Sequence, residues 1–372
     1  MSEKVPVIIF EGSGESGLLE EKMRKYRKQL TINITEKCLA SQNIETIVLV
    51  TNYEDLLEVS KQLPIEIVST SNRLPFHFGE TLAEIVHRFG FDKVICLGGA
   101  SVPLITVSEI DEVAKLLINN EDIVISNNAQ SADLTAFSPA DILRKIELPP
   151  IDNPLSSILR DQGGLAAHYL PITPGYHFDV DTIQDLLYVS LHPQGCFVIK
   201  DMIEKDGFSI EKIKRTANKM IEPNCELLLT GRVGHWIMKI VNDRLRCRLR
   251  VISEERGMKA LGRDKGGTVH SILGDFVDLK SIDGFFSYLE EYCDAAIIDT
   301  RVLFHHWKLN ATQQDRFYSD LGQFEKIHDP KILKFTERAE KCEVPVILGG
   351  HSVVSGGLLV LVDAYGKKLS WK

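Results

Sequence analysis

The sequence predicts an α/β protein built of two units. Three observations carry that reading: short β-branched apolar runs, amphipathic segments of 3.6-residue period between them, and a length of 372 residues. Apolar runs of four to six residues separated by helical segments are the pattern of a parallel sheet covered on both faces. At roughly 150 residues per domain, the length gives about two units.

In the first half the runs are VPVIIF (5–10), TIVLVT (46–51), IEIVS (65–69), KVICL (93–97) and EDIVIS (121–126). Helical periodicity falls over 31–42, 53–62, 80–89 and 107–118, and a helix rich in lysine and arginine is expected over about 18–30. Between 140 and 178 the alternation lapses into LPPIDNP and LPITPGYH. Proline there favours extended loops, which suit a linker or, as expected here, a segment projecting over the edge of the sheet. Beyond residue 200 the alternation resumes with helices at 208–220, 234–245, 281–291 and 330–341, and strands at 226–230, 246–253, 294–299, 344–348 and 357–364. The expected domains are 1–200 and 201–372.

Composition narrows the partners. A formal net charge of -9 argues against a surface that neutralises nucleic-acid phosphates. The seven cysteines are scattered singly with no CxxC pair, which suits reduced structural thiols in a cytoplasm. No segment reaches the ~18 to 20 apolar residues of a membrane span, and the N-terminus lacks a signal-peptide pattern. The expectation is a soluble cytoplasmic protein with small-molecule ligands; a homo-oligomer stays open.

The first strand runs into EGSGESG (11–17), then a helix rich in lysine and arginine. A glycine-rich loop before a helix lets backbone N–H groups approach a phosphate, although the spacing fits neither a dinucleotide fingerprint nor a Walker A loop. A plain glycine turn satisfies the same residues. Further on, ICLGGASVPLIT (95–106) stops a buried strand on two glycines, and DIVISNNAQ ends another on Asn127 and Asn128. FDVDTIQDL then sets Asp179 and Asp181 two residues apart, on one face of an extended segment. Asp181 equally suits a helix N-cap.

In this order the loop, GETLAEIV, the strand with PLIT, NNAQSADLTAF and FDVDTIQDL resemble the MobA-like nucleotidyltransferases, and among them the 2-phospholactate guanylyltransferase branch. The resemblance spans about residues 4–190. It implies a GT-A-like sheet with helices on both faces. The implied reaction moves a nucleotidyl group from a nucleoside triphosphate to a small phosphorylated or hydroxylated acceptor, with Mg²⁺ held by carboxylates. It further implies that Gly12, Ser13, Gly14 and Gly17 line the phosphates, that Lys22 or Lys25 supplies the cation, and that Asp179 and Asp181 close the site. Ser101, Asn127 and Asn128 fall on the nucleotide-binding loops. Where the family carries a metal-ligating aspartate this chain has Ser101, a poor ligand for a hard cation. That departure motivates an alternative: a nucleotide-binding or regulatory module with a decayed metal site, its chemistry in the second half.

The second half resembles no family, but its strands also end in polar or glycine-rich stretches: SEERG (253–257), DTR (299–301) and GGHSVVSGG (349–357). Ligands of open α/β sheets bind beyond the carboxyl ends of the strands. Gly349, Gly350 and His351, with Asp299 and Arg301, make a candidate second anion site. The loop GMKALGRDKGG adds Lys259, Arg263 and Lys265. A wide hairpin loop explains the same glycines without a ligand.

Overall fold

A computed structural model of the chain describes residues 3–12, 18–71, 75–129, 131–259 and 261–366. The chain forms two compact units. One runs through Val180 and includes Gln194–Ile199; the other comprises Asp181–Pro193 and the residues from Lys200 on.

The first unit holds seven strands: β1 (Val5–Glu11), β2 (Ile44–Thr51), β3 (Glu66–Ser69), β4 (Val94–Gly98), β5 (Ile123–Ser126), β6 (Leu134–Ser138) and β7 (Ala166–Tyr169). They lie in the order β3-β2-β1-β4-β6-β5-β7. Every pairing is parallel except those of β6, which runs antiparallel to β4 and β5. Strand alternation divides the core. Val7, Ile9 and Leu97 face one layer, with Ile34 and Val113; Ile8, Val48 and Cys96 face the other, with Leu82 and Ile85. Neither β6 nor β7 shows in the sequence pattern. LTAFS has no polar alternation because it is buried throughout, and AAHY is short and exposed at an edge.

The proline-rich stretch does run along the carboxyl edge of this sheet. The Pro149 and Pro150 carbonyls accept from Gly79 and Phe78 at the start of the helix Phe78–Phe89, and the Asn153 carbonyl accepts from Ala132.

The second unit holds β8 (Glu226–Gly231), β9 (Arg248–Ser253), β10 (Ala295–Asp299) and β11 (Val346–Gly349), all parallel, in the order β11-β10-β8-β9. On β9 the arginines alternate with half-buried residues and face solvent, Arg248 and Arg250 pairing with Glu226. Residues 357–364 are a correction: they form the helix Gly356–Tyr365, not a strand. Gly356 through Val362 are all buried, and a segment apolar on every side carries no period that separates helix from strand. All seven cysteines are buried and unpaired. Among the described residues no helix is long and apolar enough to cross a membrane.

Each sheet has a point where strand order reverses. In the first, β2 and β3 lie on one side of β1 and β4 on the other; in the second, β9 lies on one side of β8 and β10 on the other. The carboxyl ends at such reversals are where α/β folds open a ligand crevice.

Candidate functional sites at the two sheet edges

At the β1/β4 reversal the chain fills its own gap. Glu11, the last residue of β1, is 3% exposed. Arg27 grips it, Nε to Oε1 at 2.8 Å and Nη2 to Oε2 at 3.2 Å, while Nη1 donates to the Val180 carbonyl at 3.1 Å. A Cβ on Gly99 would meet Thr31 Oγ1 at 2.3 Å and Glu11 Oε2 at 2.9 Å. One on Gly98 would meet Ser101 Oγ at 2.1 Å. The two glycines therefore make room for Glu11, Thr31 and Ser101. The Val180 N–H also donates to the Ala100 carbonyl at 3.3 Å, pinning the segment that carries Asp179 to the end of β4.

The other expected residues scatter. Gly12 packs on Asn52, whose Oδ1 would lie 2.5 Å from an added Cβ. Ser13, Gly14 and Gly17 lie outside the described residues. Lys22 is half-buried and Lys25 exposed on the helix Leu18–Ala40. Asn127 spends its amide on the protein: Nδ2 donates to the Tyr176 carbonyl at 2.7 Å and to Asp133 at 3.3 Å, and Oδ1 accepts from the N–H groups of Asp133 and Leu134. Asn128 is exposed, its Oδ1 accepting from Ser131. Asp181 is exposed and belongs to the second unit. It is not a helix cap; Thr182 caps Ile183–Leu191, in a capping box with Asp185.

Sequence reasoning missed an open cleft of about 620 Å³ beyond β2 and β3, lined by Arg24, Asn52, Tyr53, Thr70 and Ser71 and by three acids, Glu54, Asp55 and Glu58. That volume is in the range of small-molecule sites. The Arg24 guanidinium lies over the Tyr53 ring, 5.6 Å from its centroid. The signal was present in the strand-end rule, since Asn52-Tyr53 and Thr70-Ser71 directly follow β2 and β3.

Magnesium, implied by the resemblance, meets a limited set of ligands here. Among the described residues no three His, Cys, Asp or Glu side chains gather as a metal site. Ser101 offers no anionic oxygen, and Glu11 is committed to Arg27. Magnesium commonly keeps several waters and takes one or two carboxylates plus substrate phosphates. A cage of protein ligands alone does not fit such an ion among the described residues.

At the β8/β10 reversal the edge is more heavily charged. Asp299 ends β10 and is 1% exposed. Its carboxylate accepts from Arg232 Nε at 2.6 Å and Nη2 at 3.0 Å, and from the Arg301 N–H at 3.2 Å. Burial alone would raise the Asp299 carboxyl, but the Arg232 guanidinium holds it below the ordinary value. Arg301 turns the other way, onto Asp320, with Nη1 at 2.9 Å and Nη2 at 2.5 Å. Gly231 has φ +107, and its Cβ would fall 2.4 Å from the Asp299 Cβ, so only glycine lets Arg232 fold back over β10.

Gly349, Gly350 and His351 follow β11. Gln184 is 4% exposed; its Oε1 would lie 2.6 Å from a Cβ on Gly349 and has no hydrogen-bond partner. His351 is exposed, yet crowding by protein pushes its pKa down to about 4, with help from the Arg232 and Arg256 charges. Asp185 is buried and its carboxyl is pushed up to about 7, by desolvation first and by Asp181 next. Arg263 is bound to Glu255 at 2.7 and 2.8 Å, and Lys265 is exposed, so their loop closes on itself.

The first half is thus an α/β sheet with an occupied reversal point beside an open cleft. No family model and no curated protein matches the chain. Among solved structures, a cytidylyltransferase from Leptospira borgpetersenii serovar Hardjo-bovis is 17% identical, covering 55% of this chain and 96% of its own, with a TM-score of 0.41. A nucleotidyl transferase from Methanothermobacter thermautotroptrophicus is 13% identical, over 50% of this chain and 95% of its own, with a TM-score of 0.39. A CMP:2-keto-3-deoxy-manno-octonic acid synthetase complexed with CTP is 14% identical, over 46% and 90%, with a TM-score of 0.32. The resemblance to nucleotidyltransferases is distant and concerns the N-terminal half.

Proposed function

We propose that the first unit binds a nucleoside triphosphate at the carboxyl edge of its sheet. The chain then acts as a nucleotidyltransferase on a small phosphorylated or hydroxylated acceptor. One observation carries the reading: Val180 hydrogen-bonds to Ala100, which holds the Asp179 segment at the end of β4, next to the turn bearing Ser101. An acidic segment at a strand-order reversal is where a triphosphate and its counter-ion are expected. The cleft offers the nucleoside part an amide and a ring in Asn52 and Tyr53, with Arg24 as its cation, while Glu54, Asp55 and Glu58 on the same lining leave the phosphates to the strand end. The acceptor oxygen would bond to the α-phosphorus as the α–β bridge breaks and pyrophosphate leaves. Lys22 and Lys25 would steady the negative charge. Magnesium, when bound with the triphosphate, would neutralise phosphate charge beside Asp179.

A second reading is a nucleotide-binding or regulatory module with its chemistry in the second unit. The Glu11–Arg27 pair favours it, because the acid nearest the reversal is already neutralised.

Calorimetric titration of the full chain with each nucleoside triphosphate, with and without Mg²⁺, separates the two. A pyrophosphate-release assay over an acceptor panel completes the test. Transfer predicts tighter binding with Mg²⁺ and release with some acceptor. Binding indifferent to Mg²⁺ and without release supports the module, and no binding of any triphosphate overturns both.

A further inference from the structure

The carboxyl edge of the second sheet gathers positive charge in a chain whose net charge is -9. Arg232 leaves β8, Arg256 and Lys259 follow β9, and His351 follows β11. Three acids of this edge are already engaged. Glu254 accepts from Ser271 and Ile272 at the start of the helix Ile272–Tyr292, Glu255 holds Arg263, and Asp299 holds Arg232. Arg232 is 8% exposed, and its Nη1 makes no hydrogen bond among the described residues.

Two histidines sense the excess. His305 is held below its ordinary value by desolvation and by Arg316, Arg232 and Lys259, against a single acid, Asp264. His351 feels Arg232 and Arg256 against Asp299. Arg232, Arg256 and Lys259 follow the adjacent strands β8 and β9, so the topology sets three cations on one edge at the strand-order reversal. Independently, Gln184 points a buried, unpartnered oxygen onto Gly349 at the same edge.

The geometry points to a binding site for a phosphoryl group at this edge, gripped by Arg232, Arg256 and Lys259, with His305 and His351 beside them. Guanidinium and ammonium groups around an unfilled donor are the chemistry that holds phosphate oxygens. Gln184 Oε1, an acceptor, suits a hydroxyl on the molecule that bears the phosphate. The ligand class is a small phosphate ester or free phosphate. The site is separate from the nucleotide site proposed for the first unit, and neither depends on the other.

The test titrates the full chain at low salt with inorganic phosphate, pyrophosphate and glycerol 3-phosphate, by calorimetry and by NMR of the histidine side chains. The His305 and His351 resonances are assigned with His305→Gln and His351→Gln. Binding is expected to shift both, and Arg256→Ala/Lys259→Ala, which removes two exposed cations, should weaken it about tenfold. Tightest binding by glycerol 3-phosphate identifies an ester as the ligand; equal binding by phosphate identifies the free anion. Unmoved imidazoles, or equal affinity in the double variant, overturns the proposal. Failure of nucleoside triphosphates to bind would remove the first unit's function and leave this site standing.

Discussion

Arg232 and Asp299 form a bidentate ion pair across the strand-order reversal of the second sheet, with Nε–Oδ2 at 2.6 Å and Nη2–Oδ1 at 3.0 Å. The Asp299 side chain is fully buried and that of Arg232 is 10% exposed. Little water competes with either charge, so each depends on the other.

Breaking that pair is expected to be costly. Arg232→Met leaves Asp299 buried without a counter-ion, which should destabilise the second unit by about 3–5 kcal/mol. Arg232→Met with Asp299→Leu should recover much of the loss, because no charge is then stranded. Urea unfolding of the full chain, followed through its midpoints, checks both; a single variant as stable as the double would contradict the account.

Asp185 gives a pH dependence of definite sign. Its carboxyl titrates near 7 in the folded chain against an ordinary 3.8, so the folded state holds the proton longer. The stability it contributes is full below about pH 4 and is lost as pH rises through 7. Asp185→Asn keeps an acceptor for Thr182 and should flatten that slope. Thermal melts at pH 5 to 8 measure it, and an unchanged slope would remove Asp185 as the cause.

His351 acts in the opposite sense. Its folded value of about 4 lies below the ordinary 6.5, so the unfolded chain takes up the proton first. Its contribution is present above pH 6.5 and is lost as pH falls toward 4. NMR titration should find the His351 imidazole still neutral at pH 5, and His351→Gln should weaken the acid-side loss.

Gly99→Ala tests what the paired glycines are for. The new Cβ would press on Thr31 and Glu11, and overpacking of this kind costs about 1–3 kcal/mol. Thr31→Ala in the same chain removes the atom 2.3 Å away and should recover part of the loss. Equal stability of Gly99→Ala and wild type, by urea midpoint, would mean the gap is open.

Much of the fold is legible in the sequence because period follows burial. VPVIIF, TIVLVT and KVICL read as strands since both faces of their sheet are covered. GGLLVLVDAY misleads for the same reason, being apolar on all sides of a helix. The strand-end rule also finds Asp299, Arg301 and His351, because polar residues after an apolar run have few other places to go.

The site is less legible, because a linear pattern cannot say which partner a charge will meet. The sequence by itself determined two α/β units, their strand ends and the placing of ICLGGASVPLIT at one of them. Only the tertiary structure decided that Gly98 and Gly99 there clear space for Glu11, Thr31 and Ser101. It also decided that Arg301 faces Asp320 while Arg232, which the strand reading passed over, takes Asp299. The physical reason is distance: Arg27 meets Glu11 from 16 residues away and Arg232 meets Asp299 from 67. Pairings of that separation are set by how strands order in a sheet, which no local spacing of residues encodes.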